Sequence, residues 1–409
     1  MKEPNIRFKG FRGEWKTSII GDIATFSKGR GYSKSDLRSE GNPIVLYGRL
    51  YTNYSSVIES VDTFASLQNG SVLTKGNEVI IPGSGETPED IAVASAVEQK
   101  GVILGGDLNV LTFDQEKISP AFAAMSITYS NTHNELSGYA QGKTVVHLHN
   151  SSISKGHISY PYIDEQQSIS TYFQHLDSLI QSTTKKIESL KQVKAASLQS
   201  MFPQEGETTP RVRFKGFEGE WEKKTLGDCL TINNERNQSN VYGINDVLSV
   251  SDEVGVVNQI KLLGRSYAGK SVVNYRVLKT NQIVYTKSPL KSKPYGIIKV
   301  NKGDIGIVSV LYAVYDANEN VYPDYIHYYF EPIHRINNYL LPLINKGAKN
   351  TMNISDEMAL TGKIWIPSLE EQKKIADFLQ ALDSQITLQT LRLEKLKQIK
   401  AACLDNMFV

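Results

Sequence analysis

The sequence predicts an α+β protein in which two mixed α/β domains are joined by a long antiparallel two-helix coiled coil, with approximate two-fold symmetry from an internal duplication. Three observations carry that expectation. The stretch Pro161–Phe202, PYIDEQQSISTYFQHLDSLIQSTTKKIESLKQVKAASLQSMF, returns as Pro367–Phe408, PSLEEQKKIADFLQALDSQITLQTLRLEKLKQIKAACLDNMF, with matched residues 206 positions apart. The opening segment PNIRFKGFRGEW (Pro4–Trp15) returns at the same offset as PRVRFKGFEGEW (Pro210–Trp221), and Gly21-Asp22 returns as Gly227-Asp228. Between these repeats lie short β-like runs broken by turn residues and brief helical patterns. Self-similarity at one fixed offset means that one unit is written twice. The organisation that follows is an opening segment and domain over 1–160, a helical spacer over 161–206, a second segment and domain over 207–366, and a second spacer over 367–409.

The opening segment is basic and aromatic with turns at Gly10 and Gly13, and Phe8, Phe11 and Trp15 are placed to clip it onto an apolar surface. From Thr17 to Tyr160 the runs PIVLYG, NEVIIPGSG, GVILGGDLNVLTF and KTVVHLH read as strands. SPAFAAMSITYS reads as a short helix, with Ser119 as N-cap and Pro120 in the first turn. From Lys223 to Ile366 the runs DVLSV, NQIVYTK, YGIIKV and IGIVSVLYAVY have the same character, with a helix near Tyr325–Ile333. The two domains resemble each other weakly while the flanking segments match closely, as one scaffold with two different inserts would.

In the first long repeat, apolar residues fall at Ile169, Phe173, Leu176, Ile180, Ile187 and Leu190; in the second they fall at Ile375, Leu379, Leu382, Ile386, Leu393 and Leu396. Spacings of four and three mark the seam of a helix pair. The rhythm breaks at Thr183 and Gln389, and Lys194 and Lys400 place a second polar residue on the seam of each copy. The uninterrupted runs allow helices of about 39 residues, about 58 Å at 1.5 Å per residue. PQEGETTP (Pro203–Pro210) is a polar linker. Connectivity then sets direction. The second domain starts just after the first helix and ends just before the second. A parallel pair would force its two ends something like 50 Å apart; an antiparallel pair brings them together, as in most compact domains. The expectation is two heads on an antiparallel bar.

With 40% hydrophobic and 22% charged residues, the composition is that of an ordinary globular protein. No apolar run approaches the ~20 residues of a membrane span. MKEPNIRFKG lacks the apolar core of a secretory signal. Cys229 and Cys403 read as reduced thiols, so a cytoplasmic protein without a membrane partner is expected. A net charge of +2 is uninformative unless the charge is segregated.

Motifs of catalysis are weak. GYAQGKT (Gly138–Thr144) is one residue short of phosphate-loop spacing and reads as a basic turn. There is no Asn-Pro-Pro-aromatic motif and no glycine-rich S-adenosylmethionine loop after a strand. Pro88-Glu89-Asp90 with Glu98-Gln99-Lys100 is a loose nuclease-like echo of a kind that arises by chance. His147 and His149 share a strand face without acidic or cysteine partners at metal-ligand spacing. No catalytic, cofactor-binding or metal-ligating residue is assigned.

Charge is more informative. From Lys261 to Lys299 stand Lys261, Arg265, Lys270, Arg276, Lys279, Lys287, Lys291, Lys293 and Lys299 with no acid, interleaved with Tyr267, Tyr275, Tyr285 and Tyr295. A smaller cluster, Lys28, Arg30, Lys34, Arg38 and Arg49, alternates with Tyr32, Tyr47, Tyr51 and Tyr54 and is diluted by Asp36 and Glu40. Cations with interleaved aromatics suit a face that grips phosphates and touches bases. The DNA-binding candidates are Lys28, Arg30, Tyr32, Lys34, Arg38, Arg49, Tyr51 and Lys143 in the first domain. In the second they are Lys261, Arg265, Tyr267, Lys270, Lys287, Lys291, Lys293, Tyr295, Lys346 and Lys349. Thr17–Tyr160 nonetheless holds 10 basic residues against 14 acidic ones, so its DNA face is expected to be local.

The paired RFKGFxGEW segments, the P-x-x-x-EQ helix starts, LDS (Leu176–Ser178 and Leu382–Ser384) and the LKQ(V/I)KAA…MF endings resemble specificity subunits of type I restriction–modification systems. The resemblance spans the whole chain. It implies a non-catalytic subunit with two target-recognition domains, each reading one half of an asymmetric bipartite site in double-stranded DNA. It also implies two modification subunits that methylate adenine, and restriction subunits that translocate DNA. S-adenosylmethionine, ATP and Mg²⁺ would belong to those partners and none to this chain. A stand-alone DNA-binding regulator and a single-chain endonuclease are the alternatives. The first lacks a helix-turn-helix, and the second would need Asp90 and Glu98 in one site.

Overall fold

A computed structural model describes residues 3–269, 271–290, 293–346 and 352–409, without the side chains of 345, 346, 352 and 353. Its chain forms two compact units, Met1–Thr184 with Leu391–Val409, and Lys185–Thr390. Each unit therefore takes the start of one long helix and the end of the other.

In the first unit a five-stranded sheet runs in the order Ala24–Lys28, Leu108–Phe113, Glu78–Pro82, Ser95–Val97 and Val57–Ile58, antiparallel except for the last pair. Its middle strand, EVIIP, is buried along its whole length, which explains an unbroken apolar run without alternation. A second sheet carries Ile103–Leu104, Asn42–Val45, Phe64–Ala65 and Leu37–Arg38. The helix Pro120–Tyr129 starts as its sequence requires, with Ser119 Oγ accepting from the Phe122 N–H and Pro120 in the first turn.

In the second unit a four-stranded antiparallel sheet runs Leu230–Ile232, Ala313–Ala317, Ile283–Tyr285, Ile298–Val300. The stretch IGIVSVLYAVY is two strands, Gly306–Val308 and Ala313–Ala317, separated by a turn in which the Tyr312 N–H donates to Ser309 O. The helix expected near Tyr325–Ile333 is Pro323–Tyr329, and a separate helix, Ile333–Leu340, follows. Pro332, its N-cap, cannot donate into a continuing helix.

Both heads close identically. Lys16–Ile19 pairs antiparallel with His157–Tyr160, Lys16 opposite Tyr160; Glu222–Thr225 pairs with Lys363–Ile366, Glu222 opposite Ile366. The register repeats at the offset of 206 although HISY and KIWI share little. The first and last strands of each head are thus hydrogen-bonded neighbours.

The long helices are Ile163–Ser200 and Leu369–Met407. In the first unit Ile169, Phe173 and Leu176 share one apolar cluster with Leu396, Leu404, Met407 and Phe408, so the start of one helix lies against the end of the other. In the second unit Leu190 and Leu198 cluster with Ile375, Leu379 and Leu382. Both pairings are antiparallel. Ile187 is buried, and Ile180, Ile386 and Leu393 are half-buried. Thr183, where the rhythm breaks, is itself buried. The two seam lysines find the aspartate of the other repeat's LDS: Lys194 Nζ is 2.6 Å from Asp383 Oδ1, and Lys400 Nζ bonds Asp177. A single allowed register satisfies such pairs, which is the best-attested use of charge in a helix seam.

The EQ pair locks each head to its helix. Gln166 accepts from the Ser119 N–H at 2.9 Å and donates to Lys117 O and Pro161 O at 2.8 Å each. Gln372 accepts from the Tyr322 N–H and donates to Asn320 O and Pro367 O. Glu165, buried, takes two bonds from Arg7 at 2.7 and 2.6 Å; Glu371 takes the same two from Arg213. Cys229 and Cys403 are free thiols in different units. Among the described residues no helix is long and apolar enough to cross a membrane.

Candidate nucleic-acid interface

A groove of about 1520 Å³ opens on the first unit between the turn at Tyr32–Lys34, the short helix Arg49–Thr52, the loop Ser84–Asp90 and the turn at Gly106-Asp107. Its aromatic wall is held in place. Tyr47 and Tyr51 meet edge to face at 6.5 Å, the Tyr51 hydroxyl donates to Ser84 O at 2.8 Å, and the Tyr32 hydroxyl donates to Ser66 O. Gly85 lets the loop run close to this wall: a Cβ there would lie 3.0 Å from the Tyr51 hydroxyl and 3.1 Å from Ile91 Cβ, so those neighbours would have to give by a few tenths of an ångström. Thr87 then caps the helical turn Pro88–Ile91, accepting from the Asp90 N–H, which sets Glu89 and Asp90 in the first turn. Arg49 donates to Asp62 at 3.1 Å. Burial, then the carboxylates of Asp90 and Asp107, push the Tyr51 phenol well up.

In the second unit the short helix Gln259–Leu263 ends at Gly264 in the left-handed region (φ 76°), and Arg265 beyond it stacks over the exposed Tyr267 ring at 4.6 Å. Lys261 and Lys279 are also exposed, with Lys279 paired to Glu235. The other described cations of this run turn inward. Arg276 and Lys287 both bond Asp356, and Lys293 is buried with its ammonium 2.7 Å from Asp252 and 2.8 Å from Glu331 O. Lys299 is buried beside the same Asp252, and burial pulls its ammonium down.

The model of the type I restriction modification DNA specificity domain matches twice, over 12–192 and 218–398. Both bounds repeat at 206. This chain belongs to that family. As a specificity subunit it is the DNA sequence-recognition, non-catalytic component of a type I restriction–modification system. It is similar to the S subunit of the type I system of M. genitalium, at 12% identity and TM-score 0.59 over 100% of this chain and 99% of that one. It is also similar to the HsdS subunit from Thermoanaerobacter tengcongensis, at 16% identity and TM-score 0.45 over 100% and 99%. The first likeness bears on the fold.

Within this specificity subunit Tyr32, Lys34, Arg49 and Tyr51 line the groove together. Lys28 and Arg30 are exposed outside it, Arg38 donates to its own turn at Ser35 O and Leu37 O, and Lys143 is exposed two residues before Val145, which lines the groove. Lys261, Arg265 and Tyr267 gather on one exposed turn. Lys287 and Lys293 are committed to internal ion pairs, and Tyr295 packs against the core. Lys270, Lys291 and Lys349 lie outside the described residues, as does the Lys346 side chain. A count of cations in a window missed Asp252, Glu331 and Asp356, which come from distant segments. It also passed over the groove's carboxylates: Glu86, Glu89 and Asp90 stand in GSGETPED, an acidic run on a glycine turn, and Asp107 follows the glycine pair Gly105-Gly106. Asp90 lines the groove while Glu98 lies beside Gln174 of the long helix, so the nuclease-like echo does not converge. His147 Nδ1 bonds Ser84 Oγ, and among the described residues no cluster able to hold a metal is present.

Proposed function

We propose that this specificity subunit reads an asymmetric bipartite DNA site, one half per unit, and brings two adenine-methylating modification subunits and the restriction subunits to it. The observation that carries the reading is one closing register, Lys16 opposite Tyr160 and Glu222 opposite Ile366, beneath two unlike surfaces. One is a tyrosine-walled groove, the other an exposed Arg265–Tyr267 turn. Like scaffolds with unlike faces favour unlike half-sites. Residues 1–160 and 207–366 act as target-recognition domains, and 161–206 and 367–409 as helical spacers. Lys28, Arg30, Lys34, Lys143, Lys261 and Arg265 grip phosphates, which position the subunit without specifying sequence. The two long helices, Ile163–Ser200 and Leu369–Met407, serve as elements for docking the modification subunits. S-adenosylmethionine, ATP and Mg²⁺ are held by the partners, and the complex works in the cytoplasm.

Reconstitution with the modification subunits, followed by single-molecule sequencing of methylated adenines, tests this. One non-palindromic motif with a fixed spacer is the expected result. Methylation of no defined motif would sink the reading.

A further inference from the structure

The internal duplication shows which surface positions are held. Two copies of one unit have drifted apart wherever the fold allows, as the unlike heads show. Along the starts of the long helices the exposed residues have drifted too: Gln167 stands against Lys373, Thr171 against Asp377, His175 against Ala381 and Gln181 against Thr387. Near the helix ends they are held. Glu188, Lys191, Gln192, Ala195 and Ala196 return unchanged as Glu394, Lys397, Gln398, Ala401 and Ala402, and every one is exposed. At about 100° per residue these positions span one side of the helix, roughly 140° wide. Ser189/Lys395 and Val193/Ile399, exposed in the same stretch but outside that side, differ.

The opening segments repeat the pattern. Arg7 holds the first in a fixed turn, donating to Gly13 O at 2.6 Å and Arg12 O at 3.2 Å, and Arg213 holds the second by the same bonds to Gly219 O and Glu218 O. The turn carries Lys9 and Glu14 in one copy and Lys215 and Glu220 in the other, exposed and unchanged, while Arg12 between them stands against Glu218. Backbone bonds place each turn beside the end of one helix, Ile6 N–H to Asn406 O at 2.8 Å and Val212 N–H to Ser200 O at 3.0 Å. Among the described residues the side chains of Lys9, Glu14, Glu188, Lys191 and their twins make no hydrogen bond or ion pair. Folding therefore gives no reason to keep them. Helix propensity gives none either, since Glu, Lys, Gln and Ala are all strong helix formers and could interchange.

We infer that the Lys9–Glu14 turn, with the helix side at Lys397, Gln398 and Ala401, is a docking face for one modification subunit. Lys215–Glu220 with Lys191, Gln192 and Ala195 is the same face for a second. The inference rests on the recruitment reading above. Equal faces fit equal partners, and a partner bound once would have held only one copy of the face. The face is polar and of mixed sign, so its complement is a helix with acids opposite Lys9 and Lys397 and a cation opposite Glu14. The short side chains of Ala401 and Ala402 let that helix come close. Glu14 and Glu394 disfavour a phosphate backbone as the occupant.

The test counts modification subunits bound to the full chain by native mass spectrometry. Lys9→Glu with Lys397→Glu alters the first unit alone, and Lys215→Glu with Lys191→Glu the second. The wild type is expected to carry two copies and each double variant one, with affinity at the altered face down about 100-fold or more. The quadruple variant should carry none. Ser189→Glu and Lys395→Glu, outside the face, should keep both copies. Two copies on the quadruple variant, equal losses from the outside variants, or loss of restriction subunits with both modification subunits kept would each overturn the assignment. A wild-type chain that binds no modification subunit would overturn the recruitment reading with it. Two bound copies without a defined methylated motif, lost one by one in the variants, would overturn the DNA reading and support the docking face. The replaced side chains are exposed and unpaired among the described residues, so melting temperatures should match the wild type, and a lost copy then reports docking rather than misfolding.

Discussion

Trp15 and Phe408 meet edge to face, ring centroids 6.5 Å apart and planes at 90°. They stand near opposite ends of the chain, and Phe408 also packs on Phe122 and Phe173 at 5.7 and 5.9 Å. The equivalent pair in the second unit is Trp221 and Phe202, 6.3 Å apart at 85°. The last residues of each repeat therefore complete the core under the opening segment of the other.

Phe408→Ala should destabilise the first unit by about 3–5 kcal/mol, the usual result of truncating a buried aromatic. Hydrogen exchange resolves this by unit. Amides of Leu111 and Ile158 should lose protection while those of Ile283 and Val314 keep theirs, and Phe202→Ala should reverse the pattern.

Gln166→Leu removes the partner of three backbone groups, Ser119 N–H, Lys117 O and Pro161 O. Each unsatisfied group costs about 1–3 kcal/mol. A lower urea midpoint with unchanged slope is the expected outcome, and a midpoint equal to wild type would show that the glutamine does not lock the head.

His327 brings acid sensitivity. Its ring sits with Nδ1 buried and without a partner among the described residues, and burial, then Lys299, Lys194, Lys293 and Lys302, hold its pKa well below the ordinary 6.5. The unfolded chain protonates near 6.5 while the folded form stays neutral, so the folded state binds fewer protons and loses stability as pH falls below about 6.5. The slope from this group is at most about 1.4 kcal/mol per pH unit. Urea titrations at several pH values should show that slope, and His327→Gln should flatten it.

The exposed and internal cations should separate in DNA binding. Arg265→Ala or Lys261→Ala should weaken binding to all sequences and reduce the salt slope by about 1 each. Lys293→Met should leave the slope unchanged and lower the melting temperature, because its charge faces Asp252 and Glu331 O rather than solvent.

What was legible in the sequence was what repeats or has a strong period. The seam residues Ile169 to Leu176 and Ile375 to Leu382 are buried as their spacing requires, and Ser119-Pro120 starts its helix. Antiparallel pairing followed from connectivity alone. The closing strands His157–Tyr160 and Lys363–Ile366 were harder to see, because pairing across a head depends on backbone register and HISY and KIWI share only a four-residue alternation around Ile158 and Ile364. The DNA face was read least well. Whether a lysine is free depends on acids brought from far along the chain, and Lys293 and Lys287 met theirs.

The backbone bond from Ile6 N–H to Asn406 O has its twin from Val212 N–H to Ser200 O, but only the second lies beside a covalent link, the Pro203–Pro210 loop. A proteolytic nick in that loop would yield two fragments, neither of which holds a whole compact unit. Each would depend on the other to finish its folding, so the cut protein should migrate as one species until denaturant is added.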